Sequence, residues 1–129
     1  MNGPVRSAMS APRLHHVRIA RAYDPRVRGD GTRVLVDRLW PRGLSKQNAD
    51  FDEWQKDVAP STVLRQWYGH DPDLFDDFSA RYRAELEDPV RARIVSHLAA
   101  IARHGNLTLV TASKAADISE AAVLVGILR

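Results

Sequence analysis

The sequence predicts an α/β domain, a single small unit with a short, mostly parallel sheet flanked by helices. Three observations carry this reading. Two apolar runs, 33–40 (RVLVDRLW) and 107–112 (LTLVTA), have the β-branched composition of buried strands. Between them lie several stretches of helical periodicity, each opened by a start signal. A long helical connection between two buried strands is most simply a right-handed crossover that leaves them parallel. With 129 residues and 14.5 kDa there is enough chain for one real core. We read residues 13–129 as the domain and 1–12 as a mobile tail.

The elements follow in order. The opening stretch MNGPVRSAMSAP lacks the apolar core of a signal peptide, so the expectation is a cytoplasmic protein, with Met9 an alternative start to Met1. From Leu14 to Tyr23, Val17 and Ile19 alternate with His16, Arg18 and Ala20, the period of a strand. Asp24-Pro25 breaks it, and Asp30-Gly31 marks a turn into the central strand. Within that strand Val34, Leu35, Val36 and Leu39 are apolar, and Pro41 and Gly43 stop it. Asp50, Asp52 and Glu53 ahead of Lys56, with Phe51 and Trp54 three apart, predict a short helix over 49–58.

Ser61 as N-cap and Gly69 as stop bound a second helix, with Leu64, Trp67 and Tyr68 facing inward. Asp71-Pro72 and Asp88-Pro89 each place a capping side chain before a proline in the first turn, and so open two more helices. The second of these carries an apolar stripe of Val90, Ile94, Leu98 and Ile101 and ends at His104-Gly105. After the 107–112 strand, Asp117 with Glu120 three residues on resembles a capping box for a last helix over 118–128.

Composition narrows the chemistry. The chain has no cysteine, which removes disulfides, Fe–S clusters, thiolate zinc sites and cysteine nucleophiles. No apolar run is long enough to cross a bilayer. The overall charge of +3 hides a dipole. Residues 13–49 hold nine Lys and Arg against three Asp, a net +6, whereas 50–88 hold four against eleven acids, a net −7. Such a pattern can neutralise itself across a fold or a homodimer, or leave a basic face for an anion.

The run Tyr23-Asp24-Pro25, Asp30-Gly31 and RVLVDRLWPRGLSK resembles the YeaO-like family of uncharacterised bacterial proteins, domain of unknown function 488 (DUF488). The resemblance continues through Trp54, Lys56-Asp57, Ala59-Pro60-Ser61, Leu64-Arg65 and His70-Asp71-Pro72 to Arg81-Tyr82, and returns at LTLVTASK. It implies a compact bacterial α/β domain and no established activity. The chain departs from the family after the last strand, where relatives often read KDxxHN. Here Ala115 stands in place of the acid and Ile118 in place of the His, so any chemistry relying on that His is lost.

Charged residues at the carboxyl end of a buried strand mark the crevice where open α/β sheets bind ligands. The leading expectation is therefore a binding module for a small anion, a phosphorylated metabolite or nucleotide. Arg38, Arg42 and Lys114 would supply charge. Ser113 and the last helix N-terminus would supply donors, Asp37 would orient an Arg, and Trp40 would wall the pocket. A nucleic-acid-binding surface on the Arg-rich segment 13–46, with Tyr23 and Trp40 interleaved, is the alternative, although no known nucleic-acid motif is present. An anion-assisted hydrolase or transferase is a further option, with no catalytic residue assignable.

No cofactor is implied, since no Gly-rich dinucleotide loop follows either strand. Nor is a metal: His15 and His16 point to opposite faces of a strand, and His97 and His104 lie two turns apart. The acids from Asp73 to Asp88 read as a solvated helix face, which leaves Asp37 as the carboxylate of interest.

Overall fold

In a computed structural model, residues 16–129 are described. The expected tail, His15 and the start of the first strand at Leu14 lie outside them. Four parallel strands form one sheet: β1 (Val17–Arg21), β2 (Thr32–Leu35), β3 (Glu53–Trp54) and β4 (Leu107–Thr111), in the order β1-β4-β2-β3. The last strand in sequence thus inserts between the first two, pairing Val17 with Leu107 on one side and Thr32 with Leu107 on the other. All five residues of β4 are buried, as the centre of a parallel sheet requires.

Four α-helices follow: α1 (Thr62–Tyr68), α2 (Phe75–Glu85), α3 (Pro89–His104) and α4 (Glu120–Leu128). The capping signals hold for the first three. Ser61 Oγ accepts from the Leu64 amide, and Gly69 closes α1 in the left-handed region at φ 55°. Asp71 caps a single 3-10 turn, Pro72–Leu74, that leads into α2, and the Asp88 carboxylate accepts from the Arg91 amide at the start of α3.

The alternation of strand side chains divides the core. Val34, Val36, Leu107 and Leu109 face the helices and join Phe78, Tyr82, Leu98 and Leu124 in the main cluster. Leu35 and Val110 face the other way and meet Trp40 and Phe51 from the loop after β2. Tyr82, wholly buried, donates its hydroxyl to the Val58 carbonyl at 2.6 Å, which ties the chain after β3 to α2.

The structure corrects several expectations. Residues 49–58 do not form a helix: Glu53–Trp54 is an edge strand, followed by a 3-10 turn at Lys56–Val58. Its pairing with Val34 and Leu35 is long-range, so local spacing of Phe51 and Trp54 could not reveal it. The central strand ends at Leu35, and Leu39 is 72 % exposed rather than core. Trp67 stays partly exposed beneath the Arg81 guanidinium. At the last helix Ser119, not Asp117, is the N-cap, and Ala116–Ile118 is a separate 3-10 turn.

Candidate functional site

The carboxyl ends of β1, β2 and β4 open into a cleft of about 380 Å³. Asp37, two residues past β2, is its floor. One carboxylate oxygen accepts from Thr111 Oγ1 at 2.8 Å and the other from the Ala112 amide at 2.7 Å. These bonds lock the loop after β2 onto the end of β4. The expectation that Asp37 pairs with an Arg is therefore corrected: it accepts from a hydroxyl and a backbone N–H instead. Arg38 turns away to Asp57, at 2.9 Å and half exposed.

Of the residues expected from the sequence, Asp37, Arg38, Trp40, Arg42 and Ser113 all line this cleft. Trp40 donates its indole N–H to the Leu44 carbonyl at 2.6 Å and packs edge-on against Phe51 and Trp54. Its ring is thereby fixed as a wall. Arg42 is exposed, and its guanidinium has no ion-pair or hydrogen-bond partner among the described residues. Tyr23 donates to the Arg42 carbonyl at 2.9 Å and holds that backbone in place. Ser113 offers its own carbonyl to Arg21 at 3.3 Å. Lys114 is exposed and is not part of the cleft wall.

Three residues were missed. Glu120, Arg65 and His70 also line the cleft. Glu120, read as part of a capping box, is half-buried in the first turn of α4 and hydrogen-bonds to Asp37. Burial, that bond and the Asp37 charge together push its carboxyl well above the usual range. Arg65 is anchored by the Pro60 carbonyl at 3.2 Å and Thr62 Oγ1 at 3.0 Å. His70 is held at φ 57°, the left-handed region that non-glycine residues rarely occupy. The topology could have pointed to Glu120, since a helix leaving β4 must start beside the end of β2.

A second chamber of about 250 Å³ adjoins the first behind Pro60, Arg65, His70 and Glu120. Its inner wall is Tyr68 and Phe78, stacked at 4.0 Å, and Tyr68 donates to the Ile118 carbonyl at 2.6 Å. Among the described residues no group of three or more His, Asp or Glu side chains could hold a metal.

The opposite edge of the sheet is also rich in charge, but there the charges are paired. Arg33 is fully buried and donates to Asp30 at 2.8 Å, to the Asp50 carbonyl at 2.7 Å and to the Asp24 carbonyl at 3.0 Å. Arg18 also pairs with Asp30, and Arg26 clamps Asp50 and Asp52.

Comparison with known proteins places the chain. The sequence model of the family described as the Inactive DUF488-N3 subclade matches residues 16–129. The chain belongs to that family. It is 44% identical over 112 residues to an uncharacterized protein of Mycobacterium tuberculosis (strain H37Rv), covering 87% of this chain and 92% of that one. It is 39% identical over 114 residues to the uncharacterized protein YeaO of Escherichia coli K12, covering 88% and 97%. No solved structure matches. Among the described residues no helix is long and apolar enough to cross a membrane.

Proposed function

We propose that this DUF488 protein is a cytoplasmic binding module for a small anionic ligand, held in the cleft at the carboxyl edge of the sheet. One observation carries the reading. Arg38, Arg42 and Arg65 line a cleft that holds only two carboxyls, those of Asp37 and Glu120, so cations outnumber acids on its wall. Arg42 has no side-chain partner among the described residues, and a phosphate or carboxylate would be matched by its forked donors. Arg38 and Arg42 supply charge, Trp40 a wall, and Asp37 fixes the Ser113 turn through Ala112. Lys114 adds long-range attraction from outside the wall.

The description of the subclade as inactive favours binding over an anion-assisted hydrolase or transferase. The nucleic-acid reading of segment 13–46 is weaker. Arg18, Arg26 and Arg33 are all engaged by acids of the same chain, which removes them as phosphate contacts.

The test is a thermal-shift titration with inorganic phosphate, sulfate and a short DNA duplex, on the native protein and Arg42→Ala. A ligand that binds only the folded state raises the melting point by mass action. The expected result is a saturable shift with phosphate that Arg42→Ala abolishes. A salt-sensitive shift with the duplex alone would favour nucleic acid, and no shift with any anion would end the anion reading.

A further inference from the structure

Resting on that anion reading, we propose that the ligand of the cleft is a phosphate monoester with an apolar, ring-sized body, rather than inorganic phosphate or a sugar phosphate. The polar groups of the cleft floor and wall are largely engaged within the protein. Asp37 accepts from Thr111 Oγ1 and the Ala112 amide, and Thr111 Oγ1 in turn accepts from the Ser113 amide at 3.2 Å. Trp40 gives its one N–H to the Leu44 carbonyl, and Tyr23 gives its hydroxyl proton to the Arg42 carbonyl. Pro41 and Pro60 have no N–H to give. The polar side chains that remain on the lining are Arg38, Arg42 and Arg65, which suit an anion, with His70, Ser113 and Glu120.

Between these groups the lining is apolar, built from Leu39, Trp40, Pro41, Ala59, Pro60 and Ala112. Pro41, Ala59 and Pro60 are buried, and Trp40 packs against Phe51 and Trp54, so most of this surface is fixed before a ligand arrives. Leu39 is the exception. It lies on the lining yet is 72 % exposed, between Arg38 and Trp40 in the chain. At about 380 Å³ the cleft falls within the range of about 300–1,000 Å³ typical of small-molecule sites, which pair an apolar lining with a few polar groups.

A bare phosphate would answer the arginines and leave the apolar lining in water. A sugar phosphate would bring hydroxyls against groups whose donors are already engaged, and a hydroxyl taken from water without a partner is a cost. An apolar ring meets no such cost and removes the surface of Leu39 and Trp40 from water. The adjoining chamber continues the pattern. Pro60, Arg65 and His70 line both spaces, its wall is Tyr68 and Phe78, and the Tyr68 hydroxyl is engaged by the Ile118 carbonyl.

The test is calorimetric titration of the native protein, Leu39→Ser and Arg42→Ala with phenyl phosphate, inorganic phosphate, ribose 5-phosphate and phenol. Phenyl phosphate should bind the native protein about tenfold or more tighter than inorganic phosphate or ribose 5-phosphate, as burial of a ring's apolar area implies. Arg42→Ala should weaken binding of every phosphate. Leu39→Ser alters a side chain that lies mostly in water, so it should fold, and it should cut the phenyl phosphate advantage about threefold. Equal affinity for phenyl phosphate and inorganic phosphate overturns the apolar body and leaves the anion reading standing. So does ribose 5-phosphate binding as tightly as phenyl phosphate. An advantage that Leu39→Ser leaves untouched overturns the place given to the ring. Phenol binding as tightly as phenyl phosphate overturns the anion reading and the monoester with it. If no probe binds, both fall.

Discussion

The two edges of the sheet carry similar residues and use them differently. At the amino edge, arginines and aspartates neutralise one another inside the protein: Arg33 and Asp30 are 0 % and 1 % exposed, and Arg18 and Arg26 close the outside of the network. At the carboxyl edge the charges are separated. Asp37 is bound by a hydroxyl and an amide, burial and Asp37 hold the Glu120 carboxyl well above the usual range, Arg38 holds only an exposed pair with Asp57, and Arg42 has no partner among the described residues. A buried charge must find its partner during folding, whereas an exposed one on a cleft can wait for a ligand. The amino edge is thus a folding device, whereas the carboxyl edge is the proposed binding cleft. The net +6 of residues 13–49 belongs to both and reports on neither.

This contrast is broken most sharply at Asp30. Asp30→Ala should destabilise the protein by about 3–5 kcal/mol, because it leaves the buried Arg33 uncompensated. Urea denaturation measures it. Asp30→Ala with Arg33→Met should recover part of the loss, since the second change removes the stranded charge. A double variant no better than the single would show that the pair matters through packing instead.

The edges should also respond to pH with opposite signs. Burial alone would raise the Asp30 carboxyl, but hydrogen bonds from the Val27 amide, Arg18 and Arg33 outweigh it and hold it at about 2. Its folded value lies below its ordinary one, so its contribution is complete above 3.8 and is lost as pH falls through about 2. Glu120 runs the other way. Its folded value is raised above 4.5, so its contribution is complete below 4.5 and is lost as pH rises through the raised value. Melting curves against pH should show Asp30→Asn flattening the acid limb. Glu120→Gln should gain on the native protein toward the alkaline side, and parallel profiles there would show that burial does not raise the Glu120 carboxyl.

The sequence discloses the two edges unequally. Helix starts at Ser61, Asp71 and Asp88 are legible because capping is written within three or four residues. The buried strands are legible from their apolar runs, and their parallel arrangement from the length of the crossover. The edge strand Glu53–Trp54 is not, since two residues have no period and take their conformation from Val34 and Leu35. Strand-end logic reaches the cleft and five of its residues. It stops short of Arg65, His70 and Glu120, which enter from elements whose local signals are those of ordinary helices and turns. The pairing of Asp37 with Thr111 and Ala112 spans 74 and 75 residues, beyond any local reading. Arg33 and Arg42 look alike in sequence. Only tertiary structure shows one buried in a network and the other facing solvent.

The smallest expected effect is the most discriminating. Arg38→Ala removes an exposed ion pair with Asp57, so its stability cost should be at most about 1 kcal/mol. Arg42→Ala, with no side-chain partner among the described residues to lose, should cost still less. Both should nonetheless weaken phosphate binding, because at the cleft their charge serves the ligand rather than the fold. At the amino edge the same type of substitution, Arg26→Ala, should leave phosphate binding unchanged while loosening the links to Asp50 and Asp52. Melting temperature and phosphate affinity measured on all three variants separate the edges. If Arg26→Ala weakens phosphate binding as much as Arg42→Ala does, charge acts on the ligand from everywhere and the division between the edges is wrong. If only Arg38→Ala and Arg42→Ala weaken it, binding is local to the cleft where Trp40 and Asp37 shape the wall and floor.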